Sequence, residues 1–222
     1  MSPARLQPVS ASRRAVPGQL VTLLLAGALA AGCGAGAGAA QPAADRQTAL
    51  HGLVPDNPAT RPQFTLADTR GASYDFAQRT RGRVTLLFWG YTTCDDTCPA
   101  VMADIAAALR RLPEPQRRSV TVVFASTDAG RDTPPVVRRW LDRFDSAFVG
   151  LTGTAAELAA AQRAAGVPVA VREPLADGNY AVDHYAGVTA YGRDDRVAAL
   201  YSAATTSSDY AADLPVLLGE AS

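Results

Sequence analysis

Val84-Thr-Leu-Leu-Phe-Trp-Gly90 runs straight into Tyr91-Thr-Thr-Cys-Asp-Asp-Thr97 and then Cys98-Pro99, and the reading of this stretch decides the fold. The first seven residues form a continuous, mainly apolar run, the pattern of a strand buried on both faces. The polar loop ends where Pro99 opens a helix, since a proline in the first turn removes no helical hydrogen bond. Val101, Ile105, Ala108, Leu109 and Leu112 recur at helical spacing, and Pro113 ends the run. The unit then repeats. Ser119 to Ser126 (SVTVVFAS) reads as a second buried strand, and Thr133-Pro-Pro135 opens a helix carrying Val136, Val137, Trp140, Leu141 and Phe144.

Outward from this pair the elements are shorter. Phe64-Thr-Leu66, a turn at Asp68–Gly71 and a return through Tyr74-Asp-Phe76 read as a hairpin. Phe148–Leu151 reads as a strand, and Thr154 with Glu157 forms a capping box for a helix over 155–165 that Gly166 stops. Residues 167–171 are strand-like, and Asp177-Gly178 is a turn signal. Residues 185–191 and 196–201 flank Gly192–Asp195 as a hairpin, and Ser207-Ser208 caps a last helix reaching about Leu218. Strands alternating with helices predict an α/β fold, a mixed central sheet with helices on both faces. The two buried strands form its central parallel pair. The loop 91–98 leaves the carboxyl end of one of them, where open α/β sheets bind ligands.

The N-terminus has a different character. Arg5, Arg13 and Arg14 precede an apolar run from Leu20 to Ala31, and no acid occurs before Cys33. This is the layout of an export signal. The run is too short for a spanning helix, which needs about 20 residues. Leu29-Ala-Ala-Gly-Cys33 resembles a bacterial lipobox, with Ala30 where a strict one has Leu. Residues 1–33 are therefore expected to be a lipoprotein signal peptide, with Cys33 lipidated, anchoring the chain in the lipid bilayer. Arg13-Arg14 leaves twin-arginine export open beside the general route. Residues 34–62, rich in Gly, Ala and Pro, read as a flexible tether in which His51 is a solvated linker residue. Residues 63–222 remain as one domain of ordinary size. The mature chain keeps 18 arginines against all 21 acids, a slightly acidic balance that excludes a nucleic-acid footprint.

With Cys33 assigned to lipid, the domain holds two cysteines, Cys94 and Cys98, and one histidine, His184. In an oxidising compartment so close a pair is a redox couple, a metal clip or a passive disulfide. A sulfur at a helix N-terminus is favoured as thiolate, which metal binding and disulfide exchange both need. Spacing alone leaves these readings open. Two thiolates and an imidazole suit copper as Cu(I) or Cu(II); zinc accepts the same set, but a structural zinc site wants a fourth ligand. Asp183 is placed to orient the imidazole, and Asp128 points to the same sheet end. Asp95 and Asp96 read as solvated charges.

Four segments in order, Gly90–Pro99, Thr127-Asp-Ala-Gly-Arg-Asp-Thr-Pro134, Gly150-Leu-Thr-Gly153 and Tyr180-Ala-Val-Asp-His184, resemble the signatures of the Sco/SenC proteins. The resemblance runs from about Phe64 to Tyr201. It implies a thioredoxin-like fold and copper ligands at Cys94, Cys98 and His184. It also implies a membrane-tethered chaperone that delivers copper to the CuA subunit of cytochrome c oxidase from the extracytoplasmic face of the bacterial cell membrane. That is a role without catalytic residues. The alternative is a thiol–disulfide oxidoreductase in which Cys94 and Cys98 are the redox-active pair. Thioredoxin-fold reductases carry a cis-proline just before the strand matching 186–191; Tyr185-Ala-Gly187 has none, which favours metal binding.

Overall fold

The computed structural model describes residues 49–176 and 178–219; the expected signal peptide with Cys33, and the first part of the tether, lie outside them. Seven strands form one sheet: β1 (Thr65–Asp68), β2 (Ser73–Asp75), β3 (Val84–Gly90), β4 (Val120–Ser126), β5 (Val149–Thr152), β8 (Val188–Tyr191) and β9 (Val197–Tyr201), in the order β2-β1-β5-β4-β3-β8-β9. Its centre is the parallel set β3, β4 and β5; β8 and β1 attach antiparallel on either side. A separate two-stranded sheet pairs β6 (Val171–Pro174) with β7 (Tyr180–Asp183).

Strand periodicity, with a core on each face of the sheet, explains why β3 is buried along its whole length. Leu86 and Phe88 face one side of the sheet, where Val101, Met102 and Ile105 of α2 (Thr97–Arg111), Trp140 and Leu141 of α4 (Pro134–Leu141) and Leu214 of α6 (Ser207–Leu217) complete a core. Leu87 and Trp89 face the other, against Phe76 of α1 (Phe76–Thr80) and Leu158 and Ala161 of α5 (Ala155–Ala164). The mixed sheet with helices on both faces is the fold expected from the sequence.

Local signals fixed the ends of several elements. The Thr154–Glu157 capping box caps α5, and Gly166 follows it at φ 71°. The last helix is capped by Thr206 rather than Ser207-Ser208, again as a box, with Asp209. Two short helices were not foreseen: α1, where Asp75 ends the return strand and caps it, and α3 (Glu114–Ser119). The strand read at 167–171 starts only at Val171, and its partner is the segment ending at Asp183.

The tether reading needs correction over residues 50–62, which lie along the domain. Leu53 bridges Leu200, Thr60 bridges Arg196, and Leu50 is buried. The fully buried Asp213 of α6 holds this segment. It accepts the N–H groups of His51 (2.9 Å) and Gly52 (3.1 Å) and the Tyr201 hydroxyl (2.9 Å), and it lies 2.7 Å from His51 Nδ1. His51 is thus a partner of a buried carboxylate and not a free linker residue. Further along, buried Arg61 donates to Asp195 (2.8 Å), Thr80 (2.9 Å) and the carbonyls of Arg83 and Gly192 (2.9 Å each).

Arg61→Ala would strand those buried acceptors, at about 1–3 kcal/mol per orphaned group, offset where water reaches Asp195. A loss of about 2–3 kcal/mol in unfolding free energy is expected by urea denaturation. An unchanged midpoint would return the segment to the status of a tether.

Candidate metal centre

The carboxyl ends of β3 and β4 lie side by side, Gly90 opposite Ser126. The loop from β3 is fastened at once to β4. Thr127 donates its N–H to the Gly90 carbonyl (2.7 Å), and buried Asp132 accepts both the Thr92 N–H (3.1 Å) and the Ser126 hydroxyl (2.7 Å). Asp132 also takes the Thr92 hydroxyl, and burial pushes its pKa up. This residue sits inside a quoted signature, yet no sequence signal distinguished it from a surface acid. Gly90 has a second role: a Cβ there would approach Cys98 Sγ to 3.0 Å and the Phe88 ring to 3.0 Å, so a side chain at this position would crowd the seat of that sulfur.

The loop turns at Tyr91–Cys94, and Asp96 caps α2. Cys98 lies in the first turn and is buried, while Cys94 stands half-exposed above it. The helix N-terminus acts on the other sulfur than expected: the Cys98 N–H points to Cys94 Sγ at 3.3 Å. Cys94 is held down to about 5, first by the hydrogen bond from the Cys98 thiol, then by the Cys98 and Asp96 N–H groups and by His184, against an opposing desolvation. Cys98 is pushed far up, by donating to Cys94 and by burial. One proton is shared by the pair, and it resides on Cys98.

His184 follows β7 and reaches over from the hairpin. Its Nδ1 lies 3.0 Å from the Tyr185 carbonyl, which can only accept, so Nδ1 is the donor and Nε2 is the nitrogen turned toward the sulfurs. Nε2 stands 3.6 Å from Cys98 Sγ. The ring is edge-on to Tyr91 (centroids 5.5 Å apart) and Phe88 (6.3 Å). The three donor atoms of Cys94, Cys98 and His184 lie within 4.8 Å of one another, near the span one ion bridges at about 2.3 Å per metal–sulfur bond. The donor set fits a soft metal.

The expected supporting acids take other places. Asp183 is exposed, and the imidazole is oriented by the Tyr185 carbonyl instead. Asp128 is fully buried at the same sheet end but touches no ligand; its oxygens go to Arg131, Arg172 and Tyr180. Asp96 is a helix cap, and Asp95 is exposed. Among the described residues no carboxylate joins the three donors.

A family model described as SCO1/SenC matches residues 54–219. The chain belongs to the SCO1/SenC family. Protein SenC of Rhodobacter capsulatus is 37% identical over 121 residues, 54% of this chain and 53% of its own length. Among solved structures, Bradyrhizobium japonicum ScoI with copper bound is 34% identical, with a TM-score of 0.65, covering 72% of this chain and all of that one. Apo Sco1 of Thermus thermophilus is 31% identical with a TM-score of 0.68, covering 76% and 97%. The first three curated relatives are spanned over only 53–64% of their lengths. The fold is therefore the thioredoxin-like fold of the SCO1/SenC proteins. Within it the cysteine loop, the 127–134 segment and His184 converge at one end of the sheet.

In the reduced metal-free protein, Cys94 is expected to be alkylated first. Because its pKa is lowered, thiolate persists above about pH 5 and is lost as pH falls through it. The rate should therefore be flat from about pH 6.5 upward. Iodoacetamide rates between pH 4 and 9, with the site mapped by mass spectrometry, test this. A midpoint near the free-thiol value of about 8.5, or prior labelling of Cys98, would contradict it.

Proposed function

We propose that this SCO1/SenC protein is an extracytoplasmic copper chaperone. It holds copper on Cys94, Cys98 and His184 and passes it to the CuA site of cytochrome c oxidase. The observation that carries this reading is the convergence of two sulfurs and the imidazole Nε2 within 4.8 Å, with no carboxylate or further Cys or His joining them among the described residues. Thiolates favour Cu(I), and the imidazole supports Cu(II), so one site can hold either state. A half-exposed Cys94 leaves a ligand that a recipient's thiolate can displace. Support for the oxidase as recipient comes from the family, since one solved member is described as belonging to the Sco family of cytochrome c oxidase assembly proteins. The export signal and lipobox-like Cys33 support a lipid anchor on the outer face of the cell membrane.

Cu(II) added to the reduced protein should give a sulfur-to-copper charge-transfer band. Cys94→Ser and Cys98→Ser should each abolish it. His184→Ala should weaken Cu(II) binding by about tenfold or more while Cu(I) binding persists. Absorption and paramagnetic-resonance titrations decide this; full Cu(II) binding by His184→Ala would refute the site. Delivery requires copper transfer to an apo CuA-bearing subunit, and the anchor requires that Cys33→Ser release the protein from membranes.

A second reading is favoured by the shared proton. A Cys94 thiolate over a protonated Cys98 is also the arrangement of a thiol–disulfide oxidoreductase acting on an oxidase subunit or sensing redox state. Turnover of a partner disulfide by His184→Ala at the wild-type rate would favour it over copper delivery.

A further inference from the structure

His184 comes to the centre on a hairpin that the main sheet does not hold. Strands β6 and β7 pair only with each other, and β6 is exposed along its whole length. A buried carboxylate grips both of its strands, beside a hydrogen bond between Tyr91 and the Val182 backbone. Asp128, two residues beyond β4, accepts the Gly130 N–H (3.1 Å), the Tyr180 hydroxyl (2.8 Å), Arg172 Nη2 (3.3 Å) and Arg131 Nε. Tyr180 belongs to β7 and Arg172 to β6, so both strands are gripped. Two guanidiniums lie against the Tyr180 ring, Arg131 at 3.8 Å and Arg172 at 4.7 Å from its centroid. Arg131 also donates to the Tyr180 carbonyl and to the Asn179 side chain, 3.1 Å each. Gly130 keeps the space clear, because a Cβ there would come within 2.8 Å of Arg172 Nη2 and 2.9 Å of the Tyr180 hydroxyl.

We infer that Asp128 is a positioning residue for the metal centre: by clamping the β6–β7 hairpin to the end of β4 it brings His184 to the cysteine pair. The lever is long. Tyr180 precedes His184 by four residues, about 13 Å of extended chain. A tilt of about 10° at the clamp thus carries the imidazole about 2 Å, enough to lose its 3.6 Å approach to Cys98. The cysteine loop has a fastening of its own in Asp132, besides the contacts of Tyr91 with Val182 and Arg131. Without Asp128 the two arginines repel each other and Tyr180 loses its acceptor, so the hairpin swings while both sulfurs stay in place.

The loaded readout rests on the copper reading above; a metal-free one does not. In the reduced apo protein, nuclear Overhauser contacts between the His184 and Tyr91 rings should be present in the wild type. They should weaken or vanish in Asp128→Asn and in Tyr180→Phe, which deletes one hydroxyl and spares folding should the first variant unfold. Cu(II) affinity should fall about tenfold or more, with loss of nitrogen hyperfine coupling, while Cu(I) affinity moves by less than about threefold. Ring contacts unchanged in both variants would overturn the clamp. So would Cu(I) affinity falling in step with Cu(II), since Asp128 would then be acting on the cysteine loop. A wild type with ring contacts but no copper binding would sink the copper reading and leave the clamp standing.

Discussion

The parallel pairing of β3 with β4, in register from Val84 opposite Val120 to Gly90 opposite Ser126, is the constraint on which the rest depends. Because the two strands end together, the cysteine loop and the 127–134 segment leave the sheet at one edge and must satisfy each other's polar groups. Asp132 does this for the first, taking Thr92 and Ser126; Thr127 closes on the Gly90 carbonyl. A slip by one residue would turn Leu87 and Trp89 toward the wrong core and carry Gly90 out from under Cys98.

The sulfur pair and the imidazole are consequently held by different means. Cys98 is packed into the junction of strand and helix, among residues whose exposure is near zero. Its proton stabilises Cys94 as thiolate, and burying that proton keeps the second negative charge out of an apolar site until a metal displaces it. His184 depends on a hairpin with no backbone ladder to the sheet and on one buried carboxylate.

What was legible in the sequence follows from what single residues can signal. Cys94, Cys98 and His184 stood out because residues 63–222 hold no other cysteine or histidine. The strands β3 and β4 stood out because short, mostly apolar runs rich in β-branched and aromatic residues have few other fates. Residues that work through distant partners were invisible. Asp128 meets Tyr180 52 positions away, Asp132 meets Thr92 40 away, and Asp213 meets His51 162 away. In sequence a buried Asp with three donors looks the same as a solvated one. Asp183 is exposed, and the imidazole turned to the Tyr185 backbone carbonyl instead.

The same logic accounts for the segment 50–62. Composition argued that Gly, Ala and Pro cannot bury enough surface to order themselves, and of this segment alone that is true. The surface they lacked was supplied from elsewhere: Tyr201 packs where a Cβ on Gly52 would stand, and Asp213 collects the backbone donors that a loop on apolar surface would leave unmet. Glycine at position 52 is therefore a close-approach residue, as Gly90 is beneath Cys98 and Gly130 beneath the Tyr180 hydroxyl. In all three the missing side chain admits a neighbouring side chain, and a composition count scores each as flexibility when its effect is to fix a contact.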